Sequence, residues 1–345
     1  MKWLKNIRTP QWIIFGFMVF LFIVAHILGI DLKKLLSESL VKFCRNGIMV
    51  LALIPMLKAG AGLNFGAPVG IVTGLIGMCM AIQFRLTGVA GFLVSVLVMI
   101  PIGVLAGIVY SLILDHVKGK EDIAAIFISY SLIPLMNFFW TVAPFTNREM
   151  LYPIGGTGLR PKISLQNYFD NLLDKWMVLK IGGISIPVGF LLIYALVAVL
   201  LVLFFKTRTG EAMTALGENE LFSALSGIRT KRIRHLAIIM STVLAGFAII
   251  TYAQSYGFVE LYTGPSGFAF PAVSSILIGG YIGKKASVFQ AMLGTYLYQT
   301  IYLLSSPIAN AILIPELAEI VRMIITNGII LYAFLRQTER RRSHG

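Results

Sequence analysis

Charged residues are scarce in this chain. Asp, Glu, Lys and Arg make up 13% of its 345 residues, against about 25% in soluble globular domains. With 57% hydrophobic residues and a mean hydropathy of +0.84, this excludes a soluble protein and predicts a polytopic membrane protein. Carboxylates are scarcer still. The middles of the apolar runs hold essentially none, since Glu260, Glu316 and Glu319 all fall at run ends. Proton- and sodium-coupled carriers use intramembrane carboxylates, so this shortage argues against a secondary transporter. Cysteine is limited to Cys44 and Cys79. Neither has metal-ligand spacing or partner histidines, and both read as packing residues. The four histidines, His26, His116, His235 and His344, lie far apart and predict neither a metal centre nor general-base chemistry. The glycine-lysine pairs in VKGKED and YIGKKAS lack the G-x-x-x-x-G-K-[ST] spacing that wraps phosphates in backbone N–H groups. The chain itself is therefore expected to bind no ATP and to carry no cofactor, metal or catalytic residue. A membrane-embedded enzyme would need His, Asp or Glu clustered near one bilayer face, and the sequence offers no such cluster.

What is present is basic charge, apolar length and glycine. The formal charge of +14 does not point to nucleic acid, because the basic residues sit in short clusters between apolar runs, as at helix ends flanking a bilayer. Runs of about 20 residues, the length of a bilayer-crossing helix, predict spans near 11–30, 46–65, 67–84, 88–114, 123–146, 184–205, 236–256, 268–283, 286–304 and 319–335. Ten crossings with the amino terminus inside put both termini and the basic stretches 115–121, 206–235, 284–285 and 336–345 in the cytoplasm. The runs at 67–84 and 268–283 are short and rich in Gly and Pro, which predicts broken or re-entrant segments.

The expected architecture is all-α, a single membrane domain over residues 1–345 with about ten transmembrane segments. Segments 46–146 and 236–335 each contain a Gly/Pro-broken apolar stretch, GAGLNFGAPVG and GPSGFAFPAV, a hint of a duplicated half. Residues 147–180 form the longest external connection, read either as a cap on the bundle or as a surface that meets something outside the cell. Within spans, Asn64 and Asn327 are isolated amides and Lys58 and Arg322 isolated cations. An unpaired charge there costs at least about 2.5–3.5 kcal/mol, so these four are candidates for a translocation path or for polar helix-helix contacts.

Between two strongly apolar runs stands EAMTALGENELFSALSGIRTKRIRH, residues 211–235. Residues 211–224 read as a short helix with Ala212, Ala215, Leu216 and Leu221 on one side and Glu211, Glu218 and Glu220 at polar positions. Gly227 is placed to end it, and Arg229, Lys231, Arg232 and Arg234 to hold the next span at the headgroups.

Here the motifs resemble a known family. Glu211-Ala212-Met213, followed by Gly217, is similar to the Glu-Ala-Ala loop of ATP-binding-cassette importer permeases, with Met213 at the second alanine. The run Ala215-Leu216-Gly217-Glu218-Asn219 and then Ala224 to Ile228 resembles the branch serving simple sugars, nucleosides and branched-chain amino acids. AGLNFGAPVGIVTGLIG (61–77), KGKEDIAAIFISYSLI (118–133), SGFAFPAVSSILIGG (266–280) and VRMIITNGIILYAFL (321–335) resemble further elements of that branch, so the likeness covers roughly residues 46–335.

The resemblance implies a permease subunit in the cell membrane of a prokaryote, with 206–235 as its cytoplasmic coupling segment. Glu211, Ala215, Gly217, Glu218, Asn219, Gly227 and Ile228 are the residues it assigns to contact with ATPase subunits that hydrolyse ATP. Gly217 and Gly227 are expected to make tight turns. It further implies a second copy or a sister permease, and an external solute-binding protein that delivers a small polar solute, a nucleoside or simple sugar first. The alternative is a passive channel or secondary carrier for such a solute, which would have no need of the 211–228 segment.

Overall fold

A computed structural model of the chain describes residues 9–117, 119–152, 158–281 and 286–312, with single positions 320, 324 and 328 beyond them. The first apolar run forms α1 (Thr9–Ile27). α2 (Leu32–Ala52) opens on Asp31, whose Oδ1 accepts from the Lys33 and Lys34 amides at 2.9 and 3.3 Å and so satisfies donors that a helix start leaves free. Pro55 lacks the N–H to continue the ladder, and the chain restarts as α3 (Ile54–Lys58). Together they form one apolar span, Leu32–Lys58. The span expected at 46–65 therefore begins at Leu32, and residues 31–45, expected as an external connection, are mostly helix. Lys33, Lys34, Lys42 and Arg45 lower the hydropathy there without lowering helix propensity, and their stems can lie along apolar surface.

α4 (Ala67–Gln83) has Pro68 in its first turn, where a missing N–H costs nothing. α5 (Gly88–His116) and α6 (Glu121–Val142) follow. α7 (Leu172–Lys175) is a single turn, α8 (Val188–Phe204) a full run, and α9 (Arg208–Glu218) leaves it at a bend of 78°. After α10 (Glu220–Leu225) comes α11 (Thr230–Tyr256). A 3₁₀ turn at Gly264–Gly267 leads into α12 (Ala269–Ile278), and α13 (Val288–Ile312) closes the described part.

The protein is an all-α polytopic membrane protein. Among the described residues each of nine expected spans contains a helix. Four helical runs, Leu32–Lys58, α5, α6 and α11, are long and apolar enough to cross a bilayer, and α8 with α9 makes a fifth if the bent pair is one span. The two Gly/Pro-rich segments are short, 17 residues in α4 and 10 in α12. At 1.5 Å per residue α4 reaches about 25 Å, less than a hydrocarbon core of about 30 Å. The tenth expected span, 319–335, lies outside the described residues apart from 320, 324 and 328.

The centre of the bundle is α4, α5 and α11 in mutual contact, with α2 packed on α11. A Cβ on Gly70 would overlap the Thr242 carbonyl and one on Gly74 the Gly246 carbonyl, so α4 and α11 meet backbone to backbone, as small residues permit in membranes. The described residues between Asn147 and Pro187 fold over one end. β1 (Lys162–Ser164) pairs antiparallel with β4 (Phe258–Glu260), and β2 (Val178–Ile181) with β3 (Ile184–Pro187). The latter hairpin turns on Gly182 and Gly183, both at positive φ (58° and 89°). Ile163, Leu165, Phe169 and Leu173 enter the core. Asn147 Nδ2 donates to the Ile82 carbonyl at 2.7 Å, and Gln254 Oε1 accepts from the Leu173 amide at 3.0 Å. The long connection is thus a cap on the bundle.

Candidate functional site

The elbow between α8 and α11 is built by caps at each corner. Thr207, in extended conformation, accepts from the Gly210 amide at 3.3 Å and starts α9. Asn219, also extended (φ −152°, ψ 103°), ends α9, and its Oδ1 accepts from the Phe222 amide at 3.0 Å to start α10. The single helix expected over 211–224 is therefore two. At the far corner Gly227 sits at φ +83°, its amide on the Ala224 carbonyl (3.1 Å) and that of Ile228 on the Ser223 carbonyl (3.0 Å), a Schellman closure.

α9 turns Gly210, Met213, Leu216 and Gly217 inward. Met213 packs with Ala59, Ala237 and Phe205. Gly217 is not a turn residue, as expected from the sequence, but a contact point inside the helix. A Cβ there would overlap the Lys58 carbonyl, and Gly60 lies against its Cα. Ala215 and Ile228 are half-buried, while Glu211 and Glu218 point outward. Glu211 in the first turn also complements the helix dipole.

Ion pairs fasten this end to its neighbours. Arg234 Nη2 donates to Glu220 Oε2 at 2.9 Å, tying α11 to α10, and Asp115 at the end of α5 takes both His235 (2.6 Å) and Lys231 (3.3 Å). The outward face of α10 is apolar: Leu221, Phe222 and Leu225 are 72%, 66% and 80% exposed. Leu221, expected on the inner side with Leu216, faces out because the restart at Asn219 breaks the 3.6-residue phase.

The expected path residues are placed as follows. Lys58 ends α3 beside the elbow, its Nζ 4.5 Å from the centre of the Phe205 ring and within electrostatic reach of Glu218. Asn64 is 1% exposed. Its Nδ2 donates to Ser241 Oγ at 2.8 Å and its Oδ1 accepts from the Tyr110 hydroxyl at 3.2 Å, so it joins the α3–α4 connection to α11 and α5. Arg322 and Asn327 lie outside the described residues. The two Gly/Pro-broken stretches meet: the Phe65 and Phe270 rings are 5.3 Å apart beside Ser129 of α6, whose Oγ donates to the Phe65 carbonyl at 2.9 Å.

Sequence reasoning missed a cavity of about 390 Å³ among α2, α11, the 264–267 turn and α13. Lys42, Arg45 and Asn46 enter it from α2, Tyr252 and Tyr256 from α11, and Tyr298, Gln299 and Tyr302 from α13. The Arg45 guanidinium lies 5.4 Å from the Tyr252 ring centre, and its Nη1 donates to the Ser255 carbonyl at 3.4 Å. Two further clefts, of about 500 and 340 Å³, adjoin it through Lys42, the latter bordered by Asp174. Burial pushes the Asp174 carboxyl up, against hydrogen bonds donated by Ser255 (3.0 Å) and Gln254 (3.2 Å) and the nearby Arg45 charge. The available signal was a polar stripe at helical spacing, Lys34, Glu38, Lys42 and Arg45, just before the apolar run. Among the described residues no three of His, Cys, Asp and Glu gather where they could hold a metal ion.

A family model described as branched-chain amino acid transport system, permease component, matches residues 35–331. Among curated proteins, the autoinducer 2 import system permease protein LsrC of Escherichia coli O9:H4 (strain HS) is 32% identical over 116 residues, as is LsrC of Salmonella typhi. The matched stretch is 33% of this chain and 33% of each relative, so the chain spans about a third of the length of the curated relatives it matches. No solved structure matches.

Proposed function

The chain belongs to the family of permease components of branched-chain amino acid transport systems, and on that premise we propose that it is a membrane-spanning subunit of an ATP-driven importer. It sits in the inner membrane of a prokaryote with both termini and the 206–235 segment in the cytoplasm. The observation that carries this reading is the α9–α10 elbow. It is fastened to α11 by the Arg234–Glu220 ion pair and to the end of α3 at Gly217, yet presents Leu221, Phe222 and Leu225 outward beside Glu211 and Glu218. An apolar triad rimmed by carboxylates suits the groove of a partner protein with basic edges.

That partner is a cytoplasmic ATPase subunit, which binds and hydrolyses the ATP. Its movement on ATP binding displaces α9 and α10, and because α8 and α11 continue from the elbow they move with it. The two orientations of the bundle are then the two states that nucleotide and solute each bias. α6, whose Phe127, Tyr130 and Phe138 stand outside the bundle, offers surface to a second copy or a sister permease. The route runs past the broken stretches at Phe65 and Phe270, and an external solute-binding protein supplies the solute, a simple sugar or a nucleoside.

The test is affinity capture of the tagged chain from its native membrane, followed by mass spectrometry. Recovery of a nucleotide-binding subunit and a solute-binding protein is the expected outcome. Recovery of the chain alone, under conditions where known importers stay assembled, would replace this reading with a passive channel or carrier.

A further inference from the structure

The cavity among α2, α11 and α13 is lined by five aromatic residues, Tyr252, Tyr256, Phe268, Tyr298 and Tyr302, together with polar and small ones. Its volume, about 390 Å³, falls in the range of small-molecule sites, about 300–1,000 Å³. It also holds ionisable groups inside a span, Lys42 and Arg45 of Leu32–Lys58, and such groups in a membrane helix are retained at a cost where they serve a solute or a relay. The Nε–H of Arg45 is buried and has no hydrogen-bond partner among the described residues.

The charges around the cavity are matched. Lys42, Arg45 and Glu260 line it, Glu260 also pairing with Lys162 at 2.6 Å, while Glu38 and Asp174 line the clefts that adjoin it through Lys42, Asp174 within electrostatic reach of Arg45. A balanced set favours neither an anion nor a cation. What it does offer is donors set against aromatic faces. The Arg45 guanidinium and the Gln299 amide line the cavity and carry N–H groups that can donate to hydroxyl oxygens, and the tyrosine rings present flat faces to the C–H side of a sugar ring or to a base.

From this arrangement we propose that the cavity is a solute-binding site within the permease itself, taking a small uncharged solute built on a hydroxylated ring. The inference rests on the importer reading and gives that importer a station inside one subunit. Arg45 lies thirteen residues before Lys58, which at 1.5 Å per residue places the site about 20 Å from the elbow. Tyr252 and Tyr256 extend from α11, the helix that begins at that elbow. Solute and ATPase thus act on opposite ends of the same helix, which is the geometry that lets each bias the other.

The experiment uses the full chain, purified in detergent with the subunits that accompany it and washed in high salt to remove any soluble binding protein. Binding of tritiated D-ribose, adenosine and L-leucine is measured on this preparation. The expected result is saturable binding of ribose or adenosine and not of leucine. Arg45→Gln and Tyr252→Leu should weaken it at least tenfold, and Gln299→Leu, which removes the amide without opening space, should weaken it as well. A melting curve for each variant shows which are folded, and Gln299→Leu carries the test if Arg45→Gln is not. Equal binding by folded variants overturns the proposal, as does leucine bound in preference, or neither ribose nor adenosine bound by the unaltered chain. Capture of the ATPase subunit in the same preparations keeps the importer reading standing in those cases. Conversely, ribose binding that the variants lose, with no ATPase captured, upholds the cavity and removes the importer.

Discussion

Gly217 shows how one hydrogen atom in place of a side chain can hold an elbow to a span. Its Cα lies against Gly60 and any Cβ would overlap the Lys58 carbonyl, so α9 docks on α3 only while residue 217 is glycine. Gly217→Val should push α9 away at about 1–3 kcal/mol, the usual cost of overpacking. We expect a lower melting temperature in detergent together with reduced capture of the ATPase subunit. Val tolerated with an unchanged melting curve would mean that α9 does not rest on α3. The sequence marked Gly217 through its motif but not its duty, because Gly60 is too far along the chain for any local pattern to join them. Asn64 teaches the same lesson. An isolated amide in an apolar stretch announces a need for partners, but Ser241 is 177 positions away and Tyr110 is 46.

At the scale of elements, the amphipathic pattern of 211–224 was legible and its break was not. Asn219 followed by Glu220, Leu221 and Phe222 is an N-cap signature, but the apolar spacing of Ala212, Ala215, Leu216 and Leu221 runs through it as one helix face. The consequence is the outward triad of α10. Because Leu221 and Leu225 touch little of their own chain, exchanging both for Asp should leave the fold intact, within about 0.5 kcal/mol as for ordinary surface positions. The same change puts two charges into an apolar contact. Leu221→Asp with Leu225→Asp is expected to leave the melting temperature in place and abolish ATPase capture. Loss of both would show the triad to be structural, and loss of neither would move the docking face elsewhere. α2 differs in the opposite way: Lys42 and Arg45 lower the local hydropathy although they are good helix formers, and so hide the helix at its most informative turn.

For the molecule as a whole, helix class and membrane residence were plain from 13% charge and long apolar runs, because in hydrocarbon every backbone group needs an internal partner and a helix supplies one. The cavity was not legible, since it forms only where α2, α11 and α13 converge from distant parts of the chain. Sidedness is the remaining property that the fold makes testable. α11 runs from the elbow to β4, and its 27 residues rise about 40 Å, roughly the thickness of a bilayer with its headgroup regions. The elbow and the β2–β3 hairpin should therefore lie on opposite sides of the membrane. Cys44 and Cys79 are both fully buried, leaving a cysteine placed at an exposed position as the reactive one. In intact spheroplasts Leu179→Cys should react with a membrane-impermeant maleimide, while Leu225→Cys should react only after the membrane is opened. The reverse pattern would put the elbow outside, where no ATP-hydrolysing subunit can reach it, and labelling of both in intact spheroplasts would deny that α11 crosses at all.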